Sequence, residues 1–171
     1  MVSNIKKTTS NLDIVLTRSV YEAAFAPEHR RNFEDLLEIA RTKRAFNAEI
    51  FKHTNELLGF IFYWKFPNFV YVEHFAIAER LRNRGFGGEF FRDFCQATTL
   101  PIILEVEKPD SETNKRRIRF YENCGFKISE TPYIQPAYNP KKTPVPMLLM
   151  FRGEMDVEKS VETIKSEVYG Q

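Results

Sequence analysis

Three short stretches carry residues able to do chemistry. The first is RLRNRGFGGEFF, from Arg80 to Phe91, which places three of the chain's 7 glycines directly after three arginines. The second is NKRRIRFYENCGF, positions 114–126, in which an amide, Asn114, and a phenol, Tyr121, stand two helical turns apart. The third is FVYVEHFAI, positions 69–77, which sets Glu73 and His74 in an otherwise apolar run. An anion cradle, a proton donor and a proton acceptor are the chemistries these residue types offer.

The glycine-rich stretch has two readings. Gly85, Gly87 and Gly88 suit a tight strand-to-helix corner, because glycine adopts left-handed backbone without steric cost. They equally suit a phosphate cradle, in which the free N–H groups of a helix's first turn and its dipole face an anion. Arg82 and Arg84 favour the cradle, since guanidinium matches phosphate geometry. The pattern is neither GxxxxGK[ST] nor GxGxxG after a parallel strand.

A carboxylate in a strand as apolar as FVYVEHFAI needs a partner or a function. Alternation predicts that Glu73 shares a face with Phe75 and Ile77 and that His74 points the other way. Glu73 is accordingly a candidate base or a salt-bridged residue. On a helix, Asn114, Ile118 and Tyr121 fall on one face, so the amide and the phenol project together.

The elements that must hold these residues follow from pattern. A short strand is expected near Ile5. Ser10-Asn11-Leu12-Asp13 reads as a capping box opening a helix with a Leu16, Val20, Ala24 stripe. Pro27 opens a second helix carrying Phe33, Leu36, Leu37 and Ala40. AFNAEIFK, LLGFIFYWKF and FVYVEHFAI read as three strands with a turn at HTNE and another at Pro67-Asn68, an antiparallel meander. Phe86, Phe90 and Phe94 form the stripe of the next helix, and PIILEV the strand after it. That strand–helix–strand unit predicts locally parallel pairing. A helix from Asn114 to Cys124 stops at Gly125. FKIS and VPMLLMF are the last strands, joined by the Pro- and Tyr-rich loop ETPYIQPAYNPKKTPVP. Val157, Val161, Ile164 and Val168 give the tail an amphipathic helix that either docks or binds a partner.

Composition sets the limits. With 171 residues, 43% hydrophobic and 14% aromatic, the chain can bury a full core as one folding unit. A net charge of +2 gives no reason to expect nucleic acid or a membrane as partner. No run is long enough for a signal peptide or a membrane span. Cys95 and Cys124 lack metal spacing and read as reduced cytoplasmic thiols. His29, His53 and His74 form no zinc pattern.

Arg82-Asn83-Arg84-Gly85-Phe86-Gly87, an R-x-x-G-x-G turn after a buried strand, resembles the cofactor-binding motif of the GNAT superfamily of N-acetyltransferases. Asn114, Tyr121 and the Gly125-Phe126 pair stand in the order and spacing that the family often shows. Arg117 stands where the family usually has a small residue, and EKPDSET lengthens the connection before it. The resemblance runs from the Ser10 helix to Phe151. It implies an α/β fold of the α+β type: a mixed, mostly antiparallel sheet with a V-shaped splay, flanked by helices. Positions 1–153 would be the GNAT-like domain, and 154–171 a C-terminal helical extension of it.

The same resemblance implies acetyl-CoA as cofactor and direct attack of an acceptor amine on the thioester. Arg82, Asn83, Arg84, Gly85, Phe86, Gly87 and Gly88 would hold its diphosphate. Backbone at Phe75 and Ile77 would meet the pantetheine, with Asn114 and Tyr121 alongside. Tyr121 would be the acid that protonates the departing thiolate, or a packing residue; Glu73 would be the base, unless water relays the proton. Tyr133, Gln135 and Tyr138 of the long loop are candidate acceptor contacts. Between Thr131 and Pro146 that loop has no carboxylate, which favours a small mono-amine or a peptide amino group over a polycation. A homodimer is left open. A non-catalytic acyl-CoA sensor of the same fold and a nucleotide-phosphate binder are the rival readings, and Asn114 and Tyr121 argue against the second.

Overall fold

The structure is a computed structural model and describes residues 5–6, 11–53 and 56–171. Among these, eight strands form one sheet in the order β1-β2-β3-β4-β5-β8-β6, with β7 beside β6 on the same edge of β8. The strands are β1 (Ile5–Lys6), β2 (Phe46–His53), β3 (Glu56–Lys65), β4 (Val70–Ile77), β5 (Ile102–Glu107), β6 (Lys127–Ile128), β7 (Tyr133–Gln135) and β8 (Val145–Arg152). The helices are α1 (Asn11–Val15), α2 (Arg18–Ala24), α3 (Phe33–Thr42), α4 (Phe86–Ala97), α5 (Glu112–Asn123) and α6 (Val157–Glu167). The predicted meander β2-β3-β4 is antiparallel throughout, and β4 and β5 pair in parallel, as a crossover through α4 requires.

Each face of the sheet carries its own core. On one face, Ile14, Tyr21, Phe33 and Leu36 from the first three helices meet Phe60, Phe62 and Trp64 of β3. Val161, Ile164 and Val168 join that core, so the amphipathic tail helix docks on the chain itself. On the other face, Phe90, Phe91 and Phe94 of α4 and Ile118 and Tyr121 of α5 pack on Val70, Val72 and Leu104. Phe91 packs beside the predicted phenylalanine stripe of α4, 5.0 Å from Phe75 and 5.2 Å from Tyr121, centroid to centroid.

The N-terminal third differs from the sequence reading. The single first helix is two, broken after Val15 by a tight turn in which the Thr17 hydroxyl donates to the Ile14 carbonyl at 2.7 Å. The break rotates the buried stripe to Ile14, Thr17 and Tyr21 and leaves Leu16 48% exposed. Ser10 of the expected capping box lies outside the described residues, as do Thr54 and Asn55 of the HTNE turn. Pro27 opens only a 3₁₀ turn, Pro27–His29, and α3 begins afresh at Phe33. β7, read from sequence as loop, is a three-residue strand enclosed by Pro132 and Pro136, too short to show a period.

The extended link between the 3₁₀ turn and α3 delivers Arg31 into the interior. Its guanidinium donates to Glu73 Oε1 at 2.9 Å and to the Val168 carbonyl at 2.6 Å, and lies over the Tyr138 ring at 4.8 Å. The side chains of the pair are 8% and 0% exposed. Trp64 Nε1 donates to the other Glu73 oxygen at 2.5 Å. Burial alone would raise the Glu73 carboxyl, but Arg31, with His74 and the Trp64 N–H, holds it below the ordinary carboxylate range. One cation thus ties β4, the segment before α3 and the C-terminal tail together. Removing one partner of a buried pair strands the other charge, at a cost of about 3–5 kcal/mol. Arg31→Met is therefore expected to lose about that much stability in urea denaturation, with Arg31→Met/Glu73→Gln recovering part of it. A single variant with the wild-type midpoint would show the pair to be energetically idle.

Candidate active site

The site begins where the sheet stops pairing. β4 and β5 are in register only at Val70–Ile102, Tyr71–Ile103 and Val72–Leu104. Beyond Val72 and Leu104 the two strands part, and a cleft of about 360 Å³ opens between them. The cause lies in β4. Its pairing with β3 shifts register so that Phe62 faces His74 while the next residue, Tyr63, faces Val72. Glu73 is the extra residue of this bulge, which bends the strand away from its neighbour. The freed backbone edge of β4 lines the cleft along Phe75, Ala76 and Ile77.

The bulge also corrects the predicted alternation. Tyr71 and Ala76, five positions apart, belong to one core, whereas Val72 and Ile77 belong to the other, with Phe75 packed against it. Glu73 therefore does not share the face of Phe75 and Ile77; its oxygens are turned to Arg31 and Trp64. His74 lies on the same side, edge-on to Tyr21 at 5.0 Å and to Phe25 at 4.5 Å. Its Nε2 bonds the His29 carbonyl at 2.9 Å, and burial holds its pKa below the ordinary value, so it is neutral near pH 7.

One mouth of the cleft meets the glycine-rich turn. Gly85 caps α4 with φ of +86°, a left-handed conformation that glycine accepts without strain. The first-turn N–H groups of α4, at Phe86, Gly87 and Gly88, have no helical acceptor by geometry. A Cβ on Gly87 would lie 3.3 Å from Ile77 Cγ1, so the helix start sits as close to β4 as a bare backbone permits. Arg82 lines the cleft, its Nε donating to the Ile77 carbonyl at 3.2 Å. Asn83, also left-handed at φ 62°, accepts from Arg116 of α5 at 2.7 Å, which fastens the turn to the opposite wall. Arg84 is exposed beside it. Backbone donors, a helix dipole and guanidinium groups make this mouth a fit receptor for a diphosphate.

The α5 wall differs from expectation in one residue. Thr113, Arg116, Arg117, Phe120 and Tyr121 line the cleft. Asn114 does not; its side chain donates to the Lys108 carbonyl at 3.0 Å and closes the loop ahead of the helix. Arg117 pairs with Glu107 of β5. Tyr121 is held edge-on by Phe91 and Phe120, both at 5.2 Å, and burial pushes its phenol up to about 12. It therefore stays protonated at neutral pH.

The other end of the cleft contains a residue that sequence reasoning missed. Glu105 of β5 reaches the cleft. It accepts hydrogen bonds from the Tyr133 hydroxyl, from Gln135 Nε2 at 2.6 Å, and from the Tyr169 hydroxyl at 3.1 and 3.2 Å. Its carboxyl is pushed up to about 7 by burial, which outweighs these neutral donors. Among the described residues no cation lies within ion-pair distance of it. Of the three loop residues expected to touch an acceptor, Gln135 lines the cleft, whereas Tyr133 and Tyr138 stand behind it. Tyr133 bonds Glu105, and Tyr138 packs on Arg31 and Tyr169. The argument that marked Glu73, a carboxylate in an apolar strand, applies equally to Glu105 in PIILEV. No group of His, Cys, Asp and Glu among the described residues is placed to hold a metal ion.

This architecture has known counterparts. The chain shares 37% identity and a TM-score of 0.87 with a Bacteroides thetaiotaomicron protein assigned to the GNAT family, over 98% of this chain and 99% of that one. A spermidine N-acetyltransferase from Vibrio cholerae shares the fold at 16% identity and TM-score 0.63, covering 87% of this chain and 94% of that one. The ribosomal-protein-S18-alanine N-acetyltransferase of Escherichia coli does so at 13% identity and TM-score 0.61, covering 87% and 92%. No curated protein matches the chain. The profile of the Acetyltransferase (GNAT) family matches residues 15–126, which contain the meander, the glycine-rich turn, α4, β5 and α5. With its splayed sheet, its glycine-rich turn and its sequence, the chain belongs to the GNAT family of acetyltransferases.

Proposed function

We propose that the protein transfers the acetyl group of acetyl-CoA to the amino group of a singly charged acceptor, a small mono-amine or a peptide amino group. The observation that carries this reading is the cleft's polarity: a glycine-rich helix start with arginines at one mouth and a carboxylate without a cation at the other. The residues fit the cofactor. Arg82, Asn83, Arg84, Gly85, Phe86, Gly87 and Gly88 would hold its diphosphate. The edge of β4 parted from β5, at Phe75 and Ile77, would bind its amide-bearing arm. Asn114 would act through the loop that it closes. When bound, acetyl-CoA supplies an activated acyl group and a thiolate leaving group.

The chain's own residues supply proton management. Glu105, rather than the fully paired Glu73, is the base in this reading. A carboxyl that ionises near neutrality can take a proton from an ammonium at Oε1 or Oε2. Glu73 holds the bulge in place through Arg31 and Trp64. Tyr121 keeps its proton at neutral pH and can give it from Oη to a departing sulfur. Gln135 borders the acceptor end, and Tyr133 and Tyr138 shape it from behind.

Charge supports the acceptor class. Three carboxylates line the cleft, at Glu73, Glu105 and Glu107. Arg31 neutralises the first and Arg117 the last, so one negative charge is left for one ammonium. The Vibrio cholerae neighbour is named for spermidine, a polyamine, but its 16% identity carries the fold alone. Cys95 and Cys124 are free and buried, which supports a reducing compartment such as the cytoplasm.

Free thiol released from acetyl-CoA is expected with mono-amines or peptide amines in preference to polyamines. No release with any amine, or a polyamine preference, would sink the reading. Glu105→Gln should lower kcat/KM by about 10²–10⁴-fold and erase its rise with pH around neutrality. Tyr121→Phe should lower kcat by about 10–100-fold while the cofactor still binds. A normal kcat in that variant would leave the ring a packing role only.

A further inference from the structure

The C-terminal segment reaches the carboxylate at the acceptor end of the cleft, although it lies outside the stretch that matches the family. Val168 is buried and its carbonyl accepts from Arg31 at 2.6 Å. The next residue, Tyr169, sends its hydroxyl to both oxygens of Glu105, at 3.1 and 3.2 Å. The same hydroxyl lies 3.2 Å from Tyr71 Oη, 3.2 Å from Gln135 Nε2 and 3.4 Å from Tyr138 Oη.

Proton counting assigns the directions. A phenol has one proton to give and two lone pairs. Gln135 Nε2 has two protons, one for Glu105 and one for the Tyr169 oxygen. Tyr71 can fill the second lone pair. Tyr169 is then free to give its single proton to the carboxylate, and the donors behind it strengthen that bond. Tyr133 makes the other phenolic bond to Glu105.

We propose that Tyr169, carried to the cleft by the C-terminal helix, is a positioning residue that aims the Glu105 carboxylate and sets its readiness to take a proton. This rests on the reading of Glu105 as the base. Tyr169, Gln135 and Tyr133 all fall outside residues 15–126, so the base sits within the stretch that matches the family profile and these three donors lie beyond it.

The charged and titratable groups around Glu105 are few. β4 contributes Tyr71, Glu73 and His74, and the link before α3 contributes Arg31. β7 and its loop contribute Tyr133 and Tyr138, the tail Tyr169, and β5 itself Glu107, which Arg117 of α5 covers. The tyrosines stay protonated, because burial raises every one of them, and burial keeps His74 neutral near pH 7. His29 also lines the cleft, 3.7 Å from Glu107, so the proton taken up at this end is assigned by following the Glu105 carboxyl itself.

Tyr169→Phe keeps the ring and removes the donor. Losing a hydrogen bond to the ionised form moves a carboxyl upward. The acid limb of the kcat/KM profile should shift to higher pH by about one unit. The Glu105 carboxyl, followed by ¹³C NMR in the protein without cofactor, should shift by the same amount. An unchanged carboxyl titration in a variant that melts like wild type overturns the proposal. Glu105→Gln separates the two ideas. If it retains the acid limb, Glu105 is not the base, and the NMR titration alone then decides whether Tyr169 tunes the carboxyl.

Discussion

The Arg31 guanidinium is the contact on which the acceptor half of the molecule depends. Burying a cation is tolerable only when its charge and its N–H groups are met. Here Glu73 meets the charge, the Val168 carbonyl takes a further N–H, and the Tyr138 ring covers one face. Each partner comes from a different part of the chain. Satisfying one side chain therefore fixes the bulge of β4, the approach to α3, the long loop and the C-terminal tail in a single arrangement.

The bulge at Glu73 links this pair to the cleft. One extra residue in β4 turns a carboxylate toward Arg31 and bends the strand end away from β5. Parallel pairing stops after three residue pairs, and what would have been ladder becomes binding edge. The two carboxylates at the opening are thereby differentiated. Glu73 sits beside a cation and stays ionised; Glu105 sits among neutral donors and titrates near neutrality. Environment, not residue type, separates a structural carboxylate from a reactive one.

The sequence carried most of the architecture. The antiparallel meander, the parallel crossover and the amphipathic tail helix follow from periodicities of two and 3.6 and from glycine and proline placement, whereas the split first helix and β7 do not. The glycine-rich turn was legible because its chemistry is local: arginines, a left-handed residue and a helix start lie within nine positions, 80–88. The phase of Glu73 was not, because a bulge leaves no mark in a run that is apolar on both sides of the Glu73-His74 pair. Asn114 was placed on the correct helix, but its amide serves the Lys108 carbonyl, a loop contact that helical spacing cannot show. Glu105 was passed over because its three donors lie 28, 30 and 64 positions away. Only the packed tail brings the farthest of them near.

The bond between Arg31 and the Val168 carbonyl spans 137 positions of sequence. Contacts of such separation must await the ordering of the chain between them, since loop-closure entropy opposes their early formation. The meander and the α4 crossover need only neighbours in sequence and can form without the tail. The cofactor half of the cleft is thus built from local structure, and the acceptor half is the last part of the fold to be secured.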